Sequence, residues 1–169
     1  MTFDEAFERL VGNEGAFTQD TRDRGNWTGG QVGQGVCKGT KFGISAAAYP
    51  GEDIEHMTLE RAKTIYLRDY WGPAGCDAAP DQLKFDLLDM AVNSGVRAAV
   101  TTLQHAVGET TDGVLGPRTL QAVQSMQPDR LRLRFAAERL LHLTAMPKDN
   151  WDAFGRGLVR RVAGNLVGA

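Results

Sequence analysis

Three carboxylates fall close together near the start of the chain: Glu14 in VGNEGAFT, then Asp20 and Asp23, six and nine residues further on. Glu14 follows a short amphipathic stretch and sits between Asn13 and Gly15, so it is expected at a helix C-terminus. A negative charge there faces the negative end of the helix macrodipole, which is unfavourable unless water screens it or a function requires it. Glycoside hydrolysis is one such function. It needs one protonated carboxyl to donate to the leaving oxygen and a second carboxyl that stays charged. The helix C-terminal field and an apolar wall both raise a glutamate's pKa, which is what a general acid needs. Phe17, Trp27 and Phe42 are at hand for that wall. The plainer reading, a solvated glutamate before a glycine, is left open by spacing alone.

The elements that must position these groups can be read from the pattern. Thr2 and Glu5 form a capping box ahead of Phe3, Phe7, Leu10 and Val11 at helical spacing, and Gly15 is the expected stop. Residues 15–51 are rich in glycine and carry no helical period. They read as turns and short β segments, in a stretch too long for a plain connector. From Thr58, an expected N-cap, the chain turns helical and stays so. LKFDLLDMAVNSG is apolar around most of its circumference, which predicts a central, buried helix. Its acids Asp86 and Asp89 are three apart and share a face. Asp89 and Asn93, one turn apart, either line a sugar cleft or brace that helix from within. Tyr66, Tyr70 and Trp71 are expected in the core, Trp71 being the one best suited to a sugar platform. Pro117 and Pro128 are expected at helix N1 positions.

Composition excludes several classes. The 169 residues allow one domain, or one core with a smaller lobe. The turn cluster at 108–116, VGETTDGVLG, is the candidate boundary. A formal net charge of −2 lacks the basic excess of a nucleic-acid binder, although Arg156, Arg160 and Arg161 give the C-terminal end a local positive face. No run approaches the roughly 20 apolar residues of a membrane span. MTFDEAFERLV carries acids where a signal peptide has a basic region, so cytosolic synthesis is expected, with no membrane insertion. Cys37 and Cys76 cannot make a zinc site alone and are expected as two separate thiols. His56, His105 and His142 are scattered, with no triad pattern. No metal and no cofactor is expected.

Read together, Glu14-Gly15-Ala16-Phe17, Asp20, Asp23-x-Gly25, Thr40-x-x-Gly43-Ile44 and Asp89-Met90-Ala91-Val92-Asn93-Ser94-Gly95 resemble glycoside hydrolase family 108. This is a lysozyme-like group of muramidases found among phage endolysins and bacterial lytic or secretion-linked proteins. Ala16 departs from the family's Glu-Gly-Gly-aromatic pattern at the second glycine. The segment containing DGVLGPRT and FGRGLVRRV resembles the predicted peptidoglycan domain that commonly follows the catalytic core. The resemblance implies an α+β, mostly helical, lysozyme-like fold, with a catalytic region at 1–95 and a helical region at 96–169 packed against it.

It also implies a reaction. The substrate is bacterial peptidoglycan, cut between N-acetylmuramic acid and N-acetylglucosamine by a monomer. A phage enzyme of this kind is held in the host cytoplasm until released to the wall in the periplasm for host lysis. Glu14 matches the catalytic glutamate. Asp23, nine residues later, matches an aspartate that orients a water or stabilises charge. The assisting threonine is Thr40 by its place before Lys-Phe-Gly-Ile, or Thr28 by its distance from Glu14. Residues 29–39, an apparent insertion, create that choice, and Thr40 is preferred. Asp20, Thr28, Asp89, Asn93 and Trp71 are then candidates for substrate contact. Two other outcomes are compatible with the same residues: a catalytically silent wall-binding or secretion-accessory module, and a lytic transglycosylase that needs only the glutamate.

Overall fold

The structure is a computed structural model that describes residues 1–12 and 16–168. It divides the chain into two compact units, one made of residues 7–67 and the other of Met1–Ala6 with Arg68–Ala169. The division therefore falls neither at 95/96 nor within 108–116. The helices on both sides of those points pack on one another, so no break in packing occurs there.

Helix α1 spans Phe3–Val11 and runs through the first division point. Its capping box forms as expected: the Thr2 N–H donates to Glu5 Oε2 at 2.7 Å, and the Glu5 N–H to Thr2 Oγ1 at 3.3 Å. The helix ends earlier than Gly15. Gly12, at φ +57°, donates its N–H to the Glu8 carbonyl at 2.8 Å and closes the last turn.

In the 7–67 unit the glycine-rich stretch folds as tight turns around a small antiparallel hairpin, β1 (Thr40–Lys41) and β2 (Ile44–Ser45). Phe42 and Gly43 make its two-residue turn, both at positive φ (51° and 76°), the conformation that matches strand twist in such hairpins. The Tyr66 hydroxyl donates to the Phe42 carbonyl at 3.1 Å and lies 2.4 Å from where a Cβ on Gly43 would sit. Only glycine fits under that hydroxyl. Two single bridges extend the pairing, Thr18 with Thr40 and Trp27 with Cys37. Helix α2 (Leu59–Tyr66) closes the unit, with Thr58 accepting from the Arg61 N–H as its N-cap. Its inner face, Ala62, Ile65 and Tyr66, is buried, as are Phe7, Ile44, Ile54 and Met57. The Phe7 and Tyr66 rings meet edge to face at 5.3 Å.

The second unit opens with a π-helical turn at Leu67–Trp71 and a short helix α3 (Gly72–Ala74). Helix α4 (Asp81–Ser94) is the buried helix the sequence predicts, with eight residues inside, two of them aspartates. Gly95, at φ 90°, turns the chain straight into α5 (Val96–Val107). Helices α6 (Pro117–Ser125) and α7 (Pro128–Thr144) both start on the expected prolines. A short helix α8 (Lys148–Asn150) and a second π-helical turn, Trp151–Gly155, lead into α9 (Arg156–Val167). Helices α4, α5 and α7 pack on one another, and α9 packs on α7. There Ala136, Leu143 and Val162 form a small buried cluster, with Trp151, Leu158 and Val159 against it. No helix among the described residues is long and apolar enough to cross a membrane.

Candidate active site

The eight candidate residues divide between the units. Glu14, Asp20, Asp23, Thr28 and Thr40 belong to residues 7–67; Trp71, Asp89 and Asn93 belong to the other unit. Glu14 itself lies outside the described residues.

Around it in sequence, a hydrogen-bonded network gathers Asp20, Asp23 and Thr40. Asp23 is the N-cap of a 3-10 turn at Arg24–Asn26; its Oδ1 accepts the Gly25 N–H at 2.8 Å. This fixes the side chain by one oxygen and leaves Oδ2 without a partner among the described residues. Thr40 is pinned through its backbone, exchanging hydrogen bonds of 2.8 and 2.9 Å with Thr18. Its hydroxyl donates to Asn26 Oδ1 at 2.7 Å. Asn26 in turn donates its side-chain amide to the Asp20 carbonyl at 3.0 Å and its backbone N–H to the Asp23 carbonyl at 3.1 Å. Asn26 has no exposed surface and is the residue on which the loop and the strand meet. Sequence reasoning misses it, because an asparagine in RGNWTGG reads as one more turn former.

Asp20 has a different role from Asp23. Its carboxylate is gripped by the Arg22 guanidinium, at 2.7 Å from Nη2 and 3.0 Å from Nε, and also accepts the Arg22 N–H at 2.9 Å. These side-chain and backbone bonds hold its pKa down at about 2. A carboxyl held down in this way favours its charged form, the opposite of what a proton donor needs. In Arg22→Ala the Asp20 titration, followed by the carboxyl carbon shift, is expected to move up from about 2 towards 3.8. The sign follows from which state the partner favours: removing the cation weakens the charged form. Any stability the pair gives is present above the unfolded pKa and lost as pH falls towards 2.

Thr28 is bonded within its own loop: its Oγ1 accepts the Val36 N–H at 2.9 Å. Phe17, Trp27 and Phe42, the proposed apolar wall, are all half-buried in the same unit. The Trp27 indole N–H donates to the Thr21 carbonyl at 3.0 Å, and Phe17 packs so closely on Gly39 that a Cβ there would lie 2.5 Å from its ring.

In the other unit the two readings of Asp89 separate. The residue has no exposed surface. Its Oδ2 accepts from Arg139 Nη2 at 2.7 Å and Asn165 Nδ2 at 3.1 Å, and its Oδ1 from Arg161 Nε and from Asn93 Nδ2 at 3.2 Å. Every lone pair that could meet a sugar is taken by protein, so the geometry supports bracing for Asp89. Asp86, on the same face as expected, accepts from Arg132 Nε at 3.0 Å. Asn93 is exposed and spends its amide N–H groups on Asp89, at the backbone carbonyl 2.7 Å away and at the carboxylate. Trp71 is core: it is 1% exposed, meets Phe3 edge to face at 5.5 Å, and donates its indole N–H to Asp77 at 2.7 Å. A ring with no open face cannot serve as a sugar platform, so that suggestion for Trp71 is corrected.

The turn DGVLGPRT is likewise structural. Buried Gln104 accepts from the Gly113 N–H at 2.9 Å and donates to Asp112 at 2.8 Å and to the Val114 carbonyl at 3.0 Å. The two cysteines are separate thiols, as expected, and burial pushes the Cys76 thiol up to about 12. Among the described residues no group of three or more His, Cys, Asp or Glu side chains could hold a metal ion.

Comparison with curated proteins returned no match. Among solved structures, that of Brucella abortus SagA is similar, with a TM-score of 0.78 and 30% sequence identity over 96% of this chain and 90% of that one. The mostly helical α+β architecture is thus lysozyme-like, as the sequence predicts. Residues 7–95 match the family model of Glycosyl hydrolase 108, and all eight candidate residues lie inside that segment. The match covers more than half of the 169 residues, and the chain belongs to glycosyl hydrolase family 108.

Proposed function

We propose that this glycoside hydrolase is an endolysin-type N-acetylmuramidase, acting as a monomer without cofactor on the β-1,4 bond between N-acetylmuramic acid and N-acetylglucosamine of bacterial peptidoglycan. The observation that carries the reading is the family match across residues 7–95, which takes in Glu14, Asp23 and Thr40 together. The network that ties the Asp23 loop to the Thr40 strand through Asn26 supports it.

In the mechanism, Glu14 donates a proton to the glycosidic oxygen as positive charge develops on the muramic acid ring. Asp23, whose Oδ2 has no partner among the described residues, accepts a proton from the attacking water, and Thr40 helps to hold that water. A water between the two carboxyls calls for a separation of about 6.5–9.5 Å and gives inversion at the anomeric carbon. The proposed setting is release from the cytoplasm to the wall during host lysis.

The test is digestion of purified peptidoglycan followed by mass spectrometry of the fragments. Reducing-end muramic acid is the expected product. Anhydromuramic ends would place the chain among the transglycosylases, and reducing-end glucosamine would move the cut to the other glycosidic bond. No cleavage with intact wall binding would leave a silent binding module.

A further inference from the structure

Asn26 is a polar side chain with no exposed surface, and its amide can be oriented without ambiguity. The Asp20 backbone carbonyl can only accept, so the Asn26 atom 3.0 Å from it is the amide nitrogen. The carbonyl oxygen Oδ1 is then the atom 2.7 Å from Thr40 Oγ1. That oxygen carries no hydrogen, so the Thr40 hydroxyl proton is committed to it. Thr40 is left with lone pairs alone to offer. Thr28 has the opposite polarity: its oxygen accepts the Val36 N–H, and its proton is not used in that bond.

We infer that Asn26 is a positioning residue that fixes Thr40 as a hydrogen-bond acceptor, so that the attacking water gives one O–H to Thr40 and the other to Asp23. The inference rests on the muramidase reading above. A water held in this way receives no hydrogen bond from Thr40 or Asp23, so an oxygen lone pair is available to attack the anomeric carbon. In the step itself the glycosidic C–O bond breaks and the Glu14 proton goes to the leaving oxygen. The water oxygen bonds to the anomeric carbon, and a water proton passes to the Asp23 carboxylate. Thr40 neither gains nor loses a proton. A threonine with its proton free would donate to the water instead and occupy the lone pair that must attack. The backbone of Asn26 serves the same end. Its N–H holds the Asp23 carbonyl at 3.1 Å, and its own carbonyl accepts from Lys38 at 2.9 Å and Gly39 at 3.1 Å. The loop bearing Asp23 and the strand bearing Thr40 are therefore set by one residue.

The experiment is a double-mutant cycle on the full chain, with kcat and KM on purified peptidoglycan and Tm for wild type, Asn26→Ala, Thr40→Val and the double variant. Asn26→Ala is expected to lower kcat by about tenfold with KM within about twofold, and to add no further loss in the Thr40→Val background. Thr40→Ser, which keeps the hydroxyl, is expected to stay within about threefold of wild type. Losses that simply multiply would mean that Asn26 acts on the fold and not through Thr40, and would overturn the inference. A measurement on wild type needs no variant: in a neutron structure the Thr40 hydroxyl deuteron should lie on the line to Asn26 Oδ1, and a deuteron pointing elsewhere overturns the assigned polarity. An inactive wild type defeats the muramidase reading and this inference together, whereas an active wild type with multiplying losses defeats this inference alone.

Discussion

Glu14→Gln is expected to lower kcat on peptidoglycan by about 10²–10⁴-fold, the usual range for a lost general acid. Glutamine has nearly the shape of glutamate but no proton to give at working pH. Without that proton the sugar leaves as an alkoxide, and the barrier rises in the transition state alone. KM should therefore move little, because nothing in the ground state depends on the transfer. On the proposed mechanism the alkaline limb of the pH–rate profile should disappear in the variant. Release of reducing ends across a pH series measures both effects. A variant that keeps more than about a tenth of wild-type kcat would show that Glu14 is not the acid, since that exceeds what the missing group leaves behind.

Asp89→Ala is expected to act on stability, by about 3–5 kcal/mol, because it strips the counter-charge from buried arginine. Arg139, 3% exposed at its side chain, would keep its charge but lose its ion-pair partner, and its Nη1 already has no partner among the described residues. Arg161 and Asn165, which tie α9 to α4, would lose the same anchor. Against a total stability of about 5–15 kcal/mol for an ordinary domain, such a loss is a large fraction. The midpoint of urea unfolding should fall sharply while activity per folded molecule is kept. The opposite pattern, an unchanged midpoint with a raised KM, would return Asp89 to the sugar cleft.

What was legible in the sequence follows from how local each signal is. The capping box of Thr2 and Glu5 is a four-residue pattern and formed as read. The buried α4 was plain from apolar residues around most of its circumference, and the prolines of α6 and α7 from their fixed φ. The end of α1 was placed too late because Gly12 and Gly15 are equally good stops by type; Gly12 closes the last turn at positive φ, and Gly15 lies outside the described residues. Asn26 was invisible for a longer-range reason. Its burial depends on Asp20 on one side and Thr40 fourteen residues later on the other, and no periodicity links them. Trp71 and Asp89 carry types common in sugar sites, and their partners Asp77, Arg139, Arg161 and Asn165 lie at separations that spacing rules do not reach.

The interleaving of the two units sets an order of assembly during synthesis. The first six residues belong with Arg68–Ala169, yet they leave the ribosome ahead of Phe7–Leu67, and the whole of that segment follows before their partners exist. The smaller unit can complete its hairpin and helix while the larger one still lacks every helix that will form its core. Phe3 must then wait for Trp71, closing a loop of about seventy residues whose entropic cost grows only with the logarithm of its length. The first turn of α1 is thus among the last parts to gain its full packing. The segment that carries Asp23, Asn26 and Thr40 has all its described partners in hand well before that.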